Sequence, residues 1–261
     1  MAKRVVRIDA LPESAWRCSG YDAIVCVDVL LSATTIVTAL AQGRRVLSAP
    51  SVKQAAWVHS RVTDPLVVTD ALDTPDGAVR FGGPFWLTTI GGKPGALLHV
   101  SPLAEMLAAA ARRARVFVAC LRNLEATAKE VSQHHQCVAI LGAGEGGEVC
   151  SEDQMAAAWL ALRFHHRGFD FEGRNTVDEV ERWGTFDPSL VGLSRSAEHL
   201  RARGRGADVD FVLGHVDDVN VACAWADGEL RDPAAVRRRV QDDMPTPAWG
   251  ISLPSLGRQA R

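Results

Sequence analysis

Ile24-Val-Cys-Val-Asp-Val-Leu-Leu31, running directly into Ser32-Ala-Thr-Thr-Ile-Val-Thr-Ala-Leu-Ala-Gln42 and then Gly43, decides the fold class. The first stretch is apolar at nearly every position rather than at alternate ones, the pattern of a strand covered on both faces. The second is rich in Ala with apolar residues three and four apart, and it ends on a glycine that suits a helix stop. A doubly covered strand followed by a helix is the repeating unit of an α/β protein.

The same rhythm continues outward. Strands are predicted at 24–31, 45–48, 66–69, 115–120, 136–141 and 208–213, and helices at about 33–42, 52–60, 102–113, 124–134, 152–166 and 197–203. The expected fold is a mostly parallel sheet with helices on both faces. Residues 70–95 break the rhythm with Asp73-Thr-Pro-Asp-Gly77 and Gly82-Gly-Pro84, so a loop or hairpin insertion carrying a short β-like piece at 85–90 is expected. A strand at 221–225 entering a tight turn at Asp227-Gly228 is expected near the end. One α/β domain over 1–243 is predicted, with two lobes meeting near residue 168 as the alternative, followed by a Pro-containing tail over 244–261.

Composition excludes several classes. The 261 residues are 47% hydrophobic and 23% charged, which describes an ordinary globular chain. A formal net charge of -2 supplies no positive field for a polyanion, so nucleic acid is not an expected partner. The six cysteines form no C-x-x-C pair and three lie in apolar strands, as buried thiols do in a reducing compartment. Nothing resembles a membrane span or a signal peptide, and the expected location is the cytoplasm. Homodimerisation is an expectation from size alone.

Two places are suited to chemistry. Asp28 is a carboxylate in an apolar strand, where an uncompensated charge is costly. It precedes a helix whose free N–H groups favour an anion, with Ser32, Thr34 and Thr35 adding hydroxyls. The structural alternative is a Ser32 cap and a hydrogen-bonded Asp28. The second place is Gly142-Ala-Gly-Glu-Gly-Gly-Glu-Val-Cys-Ser-Glu-Asp-Gln154, again after a strand. Gly142, Gly144 and Gly147 match G-x-G-x-x-G by spacing, with Asp170 in the range of a ribose-binding acid. Glu145, Glu148, Glu152 and Asp153 nevertheless crowd this loop and would repel a pyrophosphate unless a divalent cation intervened, and Mg²⁺ suits such a donor set. The structural alternative here is a capping box, Ser151-x-x-Gln154, with Glu152 and Asp153 complementing a helix dipole. His99, His199 and His215 lie near element ends and could approach a site, but without metal-ligand spacing, and no G-x-S-x-G or phosphate-binding loop of the G-x-x-x-x-G-K-[ST] type is present.

The stretch from Asp28 through Leu40, with Gly43, resembles the D-V-L-R-A-T/S-T-T-I opening of the 2-phosphosulfolactate phosphatase family. Cys120-Leu-Arg-Asn-Leu-Glu-Ala126, the glycine loop with Ser151-Glu-Asp153, and Ser194-Arg-Ser-Ala, His199-Leu200, Gly204 and Asp208-Val209 follow in that family's order. The resemblance implies an α/β enzyme that hydrolyses a small phosphate monoester with Mg²⁺ on the route to coenzyme M. It implies catalytic roles for Asp28, Glu152 and Asp153, metal ligation by Asp28 and Glu152, and substrate contacts from Ser32, Thr34, Thr35, Asn123 and Gly144. The partner it implies is a small anionic phosphate ester. Leu31 stands where the family motif has Arg, and the family's segments expected between residues 70 and 105 are rewritten, with Arg80 as a substitute cation. Three functions follow as expectations: a phosphatase of altered substrate range, a relative that has lost catalysis and serves in binding or assembly, and an enzyme of another class using the same crevice.

Overall fold

A computed structural model describes residues 3–9, 18–51, 53–55, 62, 65–69, 80–90 and 95–234. The elements run β1 (Val5–Asp9), β2 (Ala23–Val27), α1 (Ser32–Ala41), β3 (Arg45–Ala49), β4 (Leu66–Thr69), β5 (Arg80–Phe81), α2 (Pro84–Thr89), β6 (Ala96–Val100), α3 (Leu103–Ala110) and β7 (Arg115–Ala119). They continue with α4 (Leu124–His134), β8 (Cys137–Gly142), α5 (Ser151–His165), β9 (Asp170–Phe171), α6 (Arg174–Trp183), α7 (Arg195–Ala202), α8 (Gly206–Leu213), β10 (Cys223–Ala226) and β11 (Glu229–Arg231). Short 3-10 turns at Leu121–Asn123 and Pro188–Leu193 lead into α4 and α7.

Among the described residues eleven strands form one sheet in the order β5-β4-β6-β3-β11-β10-β7-β2-β8-β1-β9. Two parallel blocks, β5-β4-β6-β3 and β7-β2-β8-β1-β9, are spliced by the β10–β11 hairpin, which pairs antiparallel with β7 on one side and β3 on the other. Three successive antiparallel steps mean that the two blocks point in opposite directions. The hairpin turns on Asp227 and Gly228, with φ of 52° and 83°, the left-handed pair that matches the twist of its strands. Alternate residues of β2 face two cores. Val25 and Val27 pack with α4 and α5, while Ile24 and Cys26 pack with α1 and α3. The fold is therefore α/β with a mostly parallel sheet and helices on both faces.

Several expectations are corrected. Residues 208–213 are helical, within α8; Asp208, Val209, Phe211 and Val212 are the buried set, a spacing of three and four that a run of six residues cannot distinguish from a strand. Residues 85–89 are also helical rather than β-like, with Ile90 extended just past the helix end, because Gly83 caps α2 and Pro84 at its first position fixes φ for the helix. Among the described residues the 70–95 region contributes β5, parallel to β4, and α2, and forms no hairpin; residues 70–79 and 91–94 lie outside the described part. The helix expected at 52–60 is described at 53–55 only, and the tail over 244–261 lies outside it. Strands β1 and β6 were not anticipated, although Val5, Val6, Ile8, Leu97 and Leu98 are buried. Among the described residues no helix is long and apolar enough to cross a membrane.

Candidate active site

Strand β2 ends at Val27, so Asp28 emerges at the carboxyl end of a central strand, its backbone N–H still donating to Ala119 O at 3.3 Å. The neighbouring strand β8 ends at Gly142, and Ala143 N donates to Val27 O at 2.8 Å. The crevice between these strand ends is where open α/β sheets bind ligands. Here it widens into a cavity of about 480 Å³ whose lining includes Asp28, Ser32, Gly144, Glu152 and Asp153.

The glycine loop turns by left-handed steps at Gly144, Gly146 and Gly147, with φ of 63°, 59° and 84°, conformations that a side chain would strain. Glu145 and Glu148 exchange backbone hydrogen bonds across it at 3.0 and 2.9 Å. The loop then delivers the chain to Cys150, which begins α5 in an extended conformation. No side chain caps this helix. The expected capping box is not formed, since Ser151 lies one residue inside the helix and its hydroxyl sits 3.5 Å from the Glu152 carboxylate. Glu152 and Asp153 instead occupy the first turn, where the helix dipole favours negative charge.

Asp153 ties the site together. Its Oδ1 accepts from Val29 N at 2.9 Å and its Oδ2 from Gly144 N at 3.1 Å, so one carboxylate fixes both the chain after β2 and the glycine loop. It is only 4% exposed. Burial, and then the charges of Asp28 and Glu152, push its carboxyl well above the usual range, while the two backbone donors pull the other way. Three carboxylates thus converge on one cavity with their mutual repulsion incompletely relieved. Cys150 lines the same space, and burial together with Glu152 and Asp153 pushes its thiol up to about 12, which removes it as a thiolate nucleophile at neutral pH.

The other side-chain expectations separate cleanly. The Thr34 and Thr35 hydroxyls donate to Val29 O at 2.8 Å and Leu31 O at 2.9 Å, and neither residue lines the cavity. Asn123 is fully buried away from it. Its Oδ1 accepts from Cys120 N at 2.9 Å, and its Nδ2 donates to Val118 O and Val221 O, both at 3.2 Å. These three residues brace the backbone of β2, β7 and the approach to β10. Asp170 lies in β9 near Lys3 and does not line the cavity, and the glycine spacing carries no dinucleotide geometry here.

Of the opposite wall, sequence reasoning names only His199 as able to approach a site. Helix α7 and its end present Ser196, His199, Leu200 and Arg203 to the cavity, at spacings of three, four and seven that place them on one helical face. Its start is secured by Ser194, whose hydroxyl accepts from Ala197 N at 3.2 Å. The signal was present in the helical spacing of these four residues. The start of α3 supplies Leu103 and Met106, and Leu30 and Leu31 add apolar surface from the β2 side.

Two of the lining carboxylates, Asp28 and Glu152, could serve as ligands to a hard cation such as Mg²⁺. The oxygens of Asp28 and Glu152 are hard ligands, and the crowding around Asp153 is the charge that a cation would relieve. Among the described residues no three His, Cys, Asp or Glu are grouped so as to hold a metal ion by themselves. Mg²⁺ ordinarily takes one or two carboxylates and completes its shell with waters and substrate phosphate.

No curated protein matches the sequence. Residues 98–224 match the family model described as 2-phosphosulpholactate phosphatase, a stretch that runs from β6 to β10 and contains the glycine loop, Glu152, Asp153 and the α7 wall. Asp28 and Ser32 precede it in the chain but meet it across the cavity. This match, over just under half of the chain, supports membership in the 2-phosphosulpholactate phosphatase family.

Proposed function

We propose that this protein is a Mg²⁺-dependent phosphatase acting on a small phosphate monoester of the 2-phosphosulfolactate kind. The observation that carries the reading is the convergence of Asp28, Glu152 and Asp153 on one cavity at the carboxyl ends of β2 and β8. Asp28 and Glu152 would hold the cation, and Asp153 is the positioning residue that fixes Val29, next to Asp28, and Gly144 through its two backbone bonds. Bound there, Mg²⁺ supplies neutralisation of the phosphoryl oxygens as charge builds on them. Asp28, half-buried at the strand end, also takes the proton of the attacking water. His199, the one imidazole lining the cavity among the described residues, gives a proton to the leaving oxygen. The water oxygen thereby bonds to phosphorus as the ester P–O bond breaks, leaving an alcohol and inorganic phosphate. Six free cysteines support a cytoplasmic location.

A second reading is a relative that binds an anion without turning it over. It is favoured by Leu31, which lines the cavity where the family motif carries Arg. The deciding experiment is release of inorganic phosphate from 2-phosphosulfolactate and a panel of small esters by the purified chain, with Mg²⁺ or with chelator. Chelator-sensitive turnover supports the phosphatase; a folded protein inactive on every ester supports the binding protein.

A further inference from the structure

We propose that Arg203 sets the substrate specificity of this site, its guanidinium taking a second anionic group, a carboxylate or sulfonate two carbons from the ester oxygen. This inference rests on the phosphatase reading above and deepens it by naming a residue that recognises the acid part of the substrate. The cavity has two ends. Glu152 and Asp153 are buried, whereas Arg203, on the opposite wall, is exposed. A phosphoryl group drawn to a cation at Asp28 and Glu152 therefore lies deep, and the body of the ester extends toward α7. On the β2 side, position 31 is the aliphatic Leu31, which offers an acid group no charge. Arg203 offers one, as a planar fork of donors that matches a carboxylate or a sulfonate.

The backbone holds this guanidinium in register with the rest of the wall. Gly204 turns left-handed at a φ of 75° and ends α7, with Gly204 N donating to Arg201 O at 3.0 Å and Arg205 N to Leu200 O at 2.8 Å. This paired ending fixes the last turn. The three arginines around it divide their work: Arg201 donates to Gly192 O, Arg205 pairs with the buried Asp208 at 2.6 Å, and Arg203 lines the cavity. Arg203 stands four residues after His199, so their Cβ atoms lie about 5–6 Å apart on one helical face. With His199 at the leaving oxygen, an acid group two carbons away comes within reach of Arg203.

The test measures phosphate release by the full chain with Mg²⁺ from three esters of one length: propyl phosphate, 2-sulfoethyl phosphate and 3-phosphonooxypropanoate. For the parent, kcat/KM should be at least about tenfold higher for one acid or both than for propyl phosphate, the size of one charge-assisted contact. In Arg203→Leu that preference should shrink by about tenfold, chiefly through KM. No preference in the parent, an unchanged preference in Arg203→Leu, or an equal loss on all three esters overturns the proposal while leaving the phosphatase reading intact. Arg203→Gln takes the place of Arg203→Leu if the latter does not fold, and the same outcomes apply. If the parent hydrolyses no ester, the phosphatase reading fails, and calorimetric binding of the same three esters decides the inference separately. Acid esters bound about tenfold more tightly than propyl phosphate by the parent, with that advantage lost in Arg203→Leu, support it. No advantage, an advantage kept in the variant, or no binding at all overturns it.

Discussion

At residue scale, Asp28 and Asn123 are both expected at the site, yet the fold gives them different work. Asn123 spends its amide on Cys120 N, Val118 O and Val221 O. Asn123→Ala should therefore lower stability by about 2–4 kcal/mol, because three buried backbone groups lose their partner at once. Urea unfolding measures that loss, and phosphate release per folded molecule should stay near that of the parent; activity lost in a fully folded variant would place Asn123 on the substrate. Asp28→Asn should behave in reverse. Hydrolysis should fall by about a hundredfold or more, while stability holds or rises by about 1 kcal/mol as one of three crowded carboxylates loses its charge. A stability loss there, seen by thermal unfolding, would mark Asp28 as a structural partner. The difference between the two residues was not legible in the chain, since an asparagine three residues after a strand says nothing of which backbone groups will lie around it. Asp28 was legible because an ionised group in an apolar strand needs an explanation in any fold.

Among elements, the ones recovered from sequence are those with long or doubly apolar patterns, such as β2 with α1 and β8 with α5. Those misread are short. In α2 the apolar residues of Phe85-Trp-Leu fit either period, and the information that decides it lies outside them, in Gly82, Gly83 and Pro84. A Cβ at Gly83 would land on the Arg205 guanidinium and the Asp208 carboxylate. These two form a buried ion pair at 2.6 Å, and Asp208 Oδ1 also accepts from Phe85 N at 3.0 Å. The glycine is thus the gap that lets the start of α2 close over a charged pair on α8. Gly83→Ala should lower stability by about 1–3 kcal/mol through overpacking. The exposed Gly95, where an added Cβ meets nothing within 4 Å, should accept Ala within about 0.5 kcal/mol. Equal urea midpoints for the two variants would show that the α2–α8 contact tolerates the extra carbon.

For the whole molecule, the sheet is a junction of two parallel blocks of opposite direction, and no local pattern announces it. The sequence displays the Asp227-Gly228 turn and the strand before it, but not that this hairpin inserts between β7 and β3, because strand order is set by contacts far apart along the chain. The splice has an electrostatic latch. Glu229 on β11 accepts from Arg45 of β3 at 3.1 and 3.0 Å and from Arg231 at 2.8 Å. Burial pushes its carboxyl up, but the hydrogen bonds and charges of Arg231 and Arg45 outweigh this and hold it at about 2, below the ordinary 4.5. A group depressed in the folded state is protonated first in the unfolded chain as pH falls. Its stabilisation is accordingly complete above pH 4.5, fades below that, and is lost as pH passes down through about 2. Both arginines are about half exposed, with side-chain exposures of 53% and 52%, so solvent screening limits the effect to about 1 kcal/mol. Thermal midpoints of the parent and Glu229→Gln should be farthest apart near neutral pH and converge as the solution is acidified toward pH 2, and added salt should shrink the gap. A gap of constant size across that range would mean that the two blocks are joined at this point by packing and backbone pairing, with the charges of Glu229 and its arginines contributing nothing to the splice.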